Sequence, residues 1–202
     1  MTYLMKVVMH KLAKLFFLVQ ILNSAPVFDE IDSWEYIVNE EIKVGWVDID
    51  NVYWCQSYLF IIHSMEDISS VLIDRKNYAN VFDRIVESDI YDDIVHIKLD
   101  LPFPFASRDY IVKYTVVDND SIIYYNWKYT DEINIPVSNK CVRLINAEGQ
   151  WKLVGTSLGT HVYYRWNGEL RGDFPNWALK RAWREQGKEV MIWLDAYLDS
   201  NE

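Results

Sequence analysis

Arg108 and Asp109 stand side by side, and an acid next to a base is the kind of pair that general acid–base chemistry uses. Such a pair acts only on a positioned substrate. The same two residues at the start of a strand serve equally well as an ion pair or hydrogen-bonded clasp fixing the turn at 102–107, and the structural role is the expected one. Other reactive side chains do not converge. His10, His63, His96 and His161 are dispersed, and no group of Cys, His or carboxylates has metal-ligand spacing, so neither a metal site nor a cofactor is expected. Cys55 and Cys141 cannot by themselves build a disulfide scaffold or a structural zinc site. Gly-rich phosphate loops and nucleophile elbows are absent from the sequence. What the chain does hold is aromatic: 31 of its 202 residues are Phe, Trp or Tyr.

Composition narrows the partners. The formal charge is −10, and the first 25 residues carry three Lys and no acid, so the remainder is more acidic still. Such a surface repels phosphate backbones, and no nucleic-acid partner is expected. Lys6, Lys11 and Lys14, the apolar run 15–22 and the small residues at 23–26 have the three-part layout of a secretory signal peptide. The division expected is a signal peptide over 1–25, cleaved after Ala25, and one domain over 26–202, with an exported product. A surface helix or an uncleaved anchor is the alternative.

The elements that must position these residues follow from periodicity. Residues 29–41 read as a short helix with Ile31, Trp34 and Val38 on one side, followed by strands at 42–49 and 54–63. Ser64 caps a helix through 74, with Asp67 at its third position. A second short helix is predicted over 77–85, and 94–167 is almost all strand. The longest helical pattern, 175–198, places Leu179, Trp183, Gln186, Val190, Leu194 and Tyr197 on one face, with Gly187 as a soft spot. Strands and helices segregated in this way argue for an α+β domain with an antiparallel sheet, its concave face covered by the last helix. Packing between a curved sheet and one helix need not fill the interior.

The segment 99–113, LDLPFPFASRDYIVK, resembles the Pro-Phe-Pro…Arg-Asp-Phe signature of StAR-related lipid-transfer (START) domains. Val142-Arg143-Leu144, the Trp-bearing strand at 150–154, Thr160-His161-Val162-Tyr163-Tyr164 and the Gly172 to Pro175 entry into the last helix are similar to the family's in the same order. The resemblance implies a helix-grip fold, about nine antiparallel strands around the C-terminal helix, and a tunnel holding one lipid or other apolar ligand, carried without chemistry. A polyketide cyclase or aromatase of the wider superfamily is the alternative, with a cavity Tyr or His as acid or base. The family's strand order would place Cys55 and Cys141 about four strands apart, beyond the ~7 Å reach of a disulfide.

Alternation along the strands nominates the tunnel wall: Val95, Ile97, Leu99 and Leu101; Tyr110, Val112, Tyr114 and Val116; Tyr125, Trp127 and Tyr129; Trp151 and Leu153; Val162 and Tyr164. Leu179, Trp183 and Val190 of the last helix complete it. In sterol-carrying members a buried Glu and Arg are expected where this chain has Val95 and Tyr114, which leaves Tyr hydroxyls and Trp N–H groups as polar handles. The other reading is that the aromatics fill the space. His96 falls on the outer face, which disfavours catalysis. For entry, the loop 130–139 with Ile133, Ile135 and Val137 is the expected gate. Trp177, Arg181, Arg184 and Lys188 form one helical stripe that either meets a membrane surface or is a solvated face paired with Glu185 and Glu189.

Overall fold

The computed structural model describes residues 25–139 and 141–201. The signal-peptide pattern therefore lies outside the described residues, apart from Ala25. The chain divides into two units, 1–31 and 32–202. Of the first, the described part holds one 3-10 turn, Phe28–Glu30. Everything below concerns the second.

Its chain runs through β1 (Glu35–Asn39), β2 (Lys43–Ile49) and β3 (Val52–Ile61), then α1 (Met65–Ile73), a 3-10 turn (Arg75–Asn77) and α2 (Tyr78–Val81). There follow β4 (Ile85–Tyr91), β5 (Ile94–Leu99), β6 (Ser107–Asp118), β7 (Ile122–Tyr129), β8 (Cys141–Arg143), β9 (Glu148–Gly155) and β10 (Thr160–Asn167). A 3-10 turn (Asn176–Ala178) leads into α3 (Leu179–Ser200). The strands form one curved sheet in the order β1-β2-β3-β10-β9-β7-β6-β5-β4. Every pairing on that path is antiparallel. Short β8 joins β6 in parallel at Ser107 to Asp109, where β7 no longer reaches. The α+β helix-grip expectation holds, with ten strands where about nine were expected.

Two local expectations fail for tertiary reasons. Residues 35–39 are strand, not helix: hydrogen bonding to β2, with Tyr36 opposite Gly45, outweighs the weak helical spacing of Trp34 and Val38. The helix predicted over 77–85 stops at Val81, because Phe82 adopts extended angles and Ile85 begins β4. That strand is an exposed edge with little alternating burial, so periodicity did not reveal it. The Ser64 cap is as expected, the Asp67 N–H donating to Ser64 Oγ at 3.1 Å.

The last helix is turned relative to its predicted face. Its buried stripe is Leu179, Trp183, Gly187, Met191, Leu194 and Leu198. The pivot is Gly187, where a Cβ would lie 2.9 Å from both Val44 methyls and 3.3 Å from the Trp166 ring. Lacking that carbon, the helix backbone comes near enough for Ser57 Oγ to donate to the Gly187 carbonyl at 2.7 Å. The glycine that weakens the helix is what lets it seat. Gln186 and Val190, predicted for the centre of the face, are rotated onto its flank.

Candidate ligand-binding site

Along that flank the helix and sheet part, leaving a cavity of about 900 Å³. Gln186, Val190 and Trp193 of α3 form one wall, and Ile97, Leu99, Tyr110 and Tyr114 from β5 and β6 the opposite one. The floor is a run of rings: Tyr114 lies 6.1 Å from Trp127, Trp127 5.6 Å from Tyr164, Tyr164 4.6 Å from Trp151, and Trp151 6.2 Å from Phe82. The aromatics therefore pack on one another in stacked and tilted pairs along the wall and leave the space between them and the helix open.

Polar groups in the lining fall into two sets. Deep in the cavity they are phenols and one amide: Gln186 Nε2 donates to Tyr164 Oη at 3.3 Å, and Tyr78 Oη donates to the Leu72 carbonyl at 2.8 Å. Burial pushes the Tyr114 phenol up to about 12, and raises Tyr78, Tyr110 and Tyr164 above the ordinary range as well. The Arg75 guanidinium sits 4.1 Å from the centre of the Tyr114 ring. Charged lining groups are partnered or exposed. Arg84 donates bidentately to Glu189, Nε to Oε2 at 2.6 Å and Nη2 to Oε1 at 2.7 Å. At the rim Phe105 and Phe174 face each other at 4.5 Å, while Phe103 and Trp177 are 97% and 83% exposed.

No family model and no curated protein matches the sequence. Solved structures do match. A STAR-related lipid transfer protein from Xanthomonas axonopodis superposes with a TM-score of 0.73 at 20% identity, covering 83% of this chain and 99% of that one. Human STARD10 gives 0.72 at 13% identity, over 91% of this chain and 78% of that one. Human StAR-related lipid transfer protein 5 gives 0.71 at 10%, over 86% and 90%. The fold is that of the START domains.

Within this START fold the predicted wall separates into two groups. Ile97, Leu99, Tyr110, Tyr114, Trp127, Trp151, Tyr164 and Val190 line the cavity. Val95, Val112, Tyr125, Leu153, Val162, Leu179 and Trp183 are buried but do not line it, and of the other inward expectations Leu101 lines it, Tyr129 does not and Val116, near the end of β6, is exposed. Alternation put the buried set on the correct face of sheet or helix, and other elements then covered it. Tyr125 meets the Ser69 hydroxyl of α1. Trp183 is consumed by the closed side, where its Nε1 donates to the Gly168 carbonyl at 2.7 Å and its ring lies 5.5 Å from Trp46 and 5.4 Å from Tyr53.

The expected gate is also displaced. Ile133, Ile135 and Val137 do not line the cavity, and the Ile135 carbonyl accepts from Arg143 Nη2 at 3.0 Å, which ties that loop to β8. The mouth is formed instead by residues 101–105 and 173–178, joined by Trp177 and Arg181 of the predicted stripe. Arg184 bonds its neighbour Glu185 at 2.7 Å, and neither Arg184 nor Lys188 lines the cavity. Sequence reasoning missed Phe103, Phe174, Arg84 and Glu189 as lining residues. Phe103 between two prolines was a readable signal, since the rigid flanks hold its ring away from the core. Arg84 and Glu189 are 105 residues apart, and only the folded chain joins them.

Arg108 and Asp109 are not an ion pair. Adjacent strand residues point to opposite faces. Arg108, turned toward the cavity side, donates to the carbonyls of Ala106, Leu170 (2.7 Å) and Arg171 (3.1 Å), which clasps the mouth loop to the segment before α3. Asp109, on the outer face, accepts from Arg143 Nη2 at 2.6 Å and from His96 Nε2 at 3.1 Å. His96 is thus outward-facing yet buried. Both cysteines are free: Cys55 is on β3 and Cys141 on β8, with β10, β9, β7 and β6 between.

Proposed function

We propose that this protein binds a lipid or another apolar small molecule in the cavity and carries or sequesters it without chemistry. The observation that carries the reading is the aromatic-walled space of about 900 Å³ between the sheet and α3, within the size range of small-molecule sites. The likeness to lipid-transfer structures supports the same ligand class. Phenols raised above their ordinary range are poor bases near neutrality, which favours binding over acid–base catalysis. Native mass spectrometry of the purified protein, with extraction of what co-purifies, is the direct test. Ala182→Trp, placed on the cavity side of α3, is expected to abolish the bound mass while leaving the circular dichroism unchanged; retention of the full bound mass would remove the cavity from the argument.

Loading is proposed to occur at a lipid surface met by the exposed rim rings Phe103 and Trp177, with Arg181 toward anionic headgroups. Phe103→Ser with Trp177→Ser should lower sedimentation with anionic vesicles; unchanged sedimentation excludes the rim. Export is proposed from the layout of residues 1–25, and an intact Met1 on the mature protein contradicts it.

A further inference from the structure

The sheet has two ends, and they are finished differently. β1 is short, its register with β2 breaks between Tyr36 and Val38, and Glu35 is tied to Lys180 of the last helix at 2.8 Å. β4 has no strand on its far side among the described residues. After a bulge next to Ile85, its residues Glu87 to Tyr91 run in unbroken register with Lys98 to Ile94. A strand in this position offers unpaired backbone N–H and C=O groups. Pro and Lys, the usual guards of an edge, are absent from its sequence, IVESDIY, and its only charges are acids.

The two faces of β4 differ in chemistry. Ile90 lies opposite Val95 and Ser88 opposite Ile97, so both share the inward face of the sheet. Val95 is fully buried, yet Ile90 is 39% exposed, and Val86 and Tyr91 are 48% and 45% exposed. The apolar layer is left uncovered at its last strand. Glu87, Asp89 and Tyr91 alternate onto the outward face. Residues 83–93 hold five acids and one base, and that base, Arg84, is turned to Glu189. Lys98 answers Glu87 at 2.8 Å, and Lys113 lies 3.6 Å from Asp93 but closer to Glu132, at 2.9 Å. The edge as a whole stays acidic.

We infer that the free edge of β4 is a docking surface for an extended segment of another protein in which apolar and basic residues alternate. Such a segment adds to the sheet as its next strand. Its backbone pairs with β4, its apolar side chains cover Ile90 on the inward face, and its Lys or Arg side chains stand beside Glu87 and Asp89 on the outward one. Charge complementarity decides the occupant. A second copy paired antiparallel about Ser88 would set Glu87 against Asp89 twice, and like charges directly opposite each other are destabilising. Nucleic acid and anionic membrane are repelled by the same acids. Docking at this edge requires nothing of the contents of the cavity.

The test titrates the isotope-labelled protein with three end-capped peptides: KVKVKVK, the same residues reordered as KKVVVKK, and EVEVEVE. The alternating basic peptide is expected to shift the amide NMR signals of residues 85–91 and to bind at least about threefold more tightly than the reordered one. The acidic peptide is expected not to bind. Glu87→Lys combined with Asp89→Lys should weaken the alternating peptide by about tenfold. Ile90→Ser should weaken it by about threefold, and it keeps the test standing if the double variant does not fold. Equal binding of the reordered peptide, binding of the acidic one, shifts confined to other strands, or full affinity in the folded variants overturns the assignment. So does failure of the alternating peptide to bind at about 1 mM. Shifts of residues 85–91 that depend on protein concentration without any peptide would overturn it in favour of a second copy.

Discussion

One helix lies over two halves of one sheet and treats them differently. Over β1, β2 and β3 it sits in contact, Gly187 against Val44 and Ser57, with Trp183 wedged between Trp46 and Tyr53. Over β5, β6 and β7 it stands off, and its facing residues, Gln186, Val190 and Trp193, look across a hollow at Tyr110, Tyr114 and Trp127. Both halves are rich in rings. What separates them is where the backbone can approach: a missing Cβ draws the helix to one side, and the bulk of paired Tyr and Trp side chains props it away from the other. The hollow is a consequence of tight seating elsewhere, and stability and binding are therefore carried by different halves.

That division can be broken by substitutions along α3 alone. Leu194→Ala, in the contact half, removes a fully buried side chain and is expected to cost about 2–5 kcal/mol. Gly187→Ala puts a carbon where 2.9 Å is available to the Val44 methyls, and is expected to cost about 1–3 kcal/mol. Because it levers the helix outward, this change should also alter the affinity for apolar probes. Val190→Ala, which faces the hollow, loses few packed neighbours and should cost under about 1 kcal/mol. Chemical denaturation of the three proteins reads all of these. A cost at Val190 equal to that at Leu194 would mean that the hollow is as tightly packed as the contact half.

The two halves were not equally legible. The antiparallel sheet, the inward set Ile97, Tyr110 and Tyr114, and the covering helix follow from alternation and spacing, because a period of two fixes the face of a strand irrespective of its partners. Which inward residues border empty space does not follow. Val95 and Val112 alternate as Ile97 and Tyr110 do, yet they are fully buried and do not border the cavity, a difference set by tertiary packing that alternation does not report. The rotation of α3 onto Gly187 is of the same kind: periodicity marked Gln186 as central, and only the close approach of Val44 shows that the glycine holds the axis. The mouth was misplaced because apolar residues at 133–137 looked like a gate, whereas a hydrogen bond from Arg143 ties their loop down.

The effect that bears least directly on the hollow concerns the outer face of the open half, where Asp109 braces the strand whose other face carries Tyr110 and Tyr114. Burial pushes the Asp109 carboxyl up, but hydrogen bonds and charge from Arg143 and His96 outweigh it and hold the carboxyl below its ordinary value. A carboxyl lowered by folding stabilises fully above the ordinary carboxylate range, and that contribution is lost as pH falls through the folded value. One proton can change stability by no more than about 1.4 kcal/mol per pH unit. In Asp109→Asn this acid limb should flatten, and Arg143 and His96 lose their charged partner, so the whole curve should also fall at neutral pH. If the brace matters to the hollow, apolar probes should dissociate from the native-sequence protein on acidification before circular dichroism reports unfolding. Coincident transitions would instead mean that the sheet responds as one body and that the open half has no weaker point of its own.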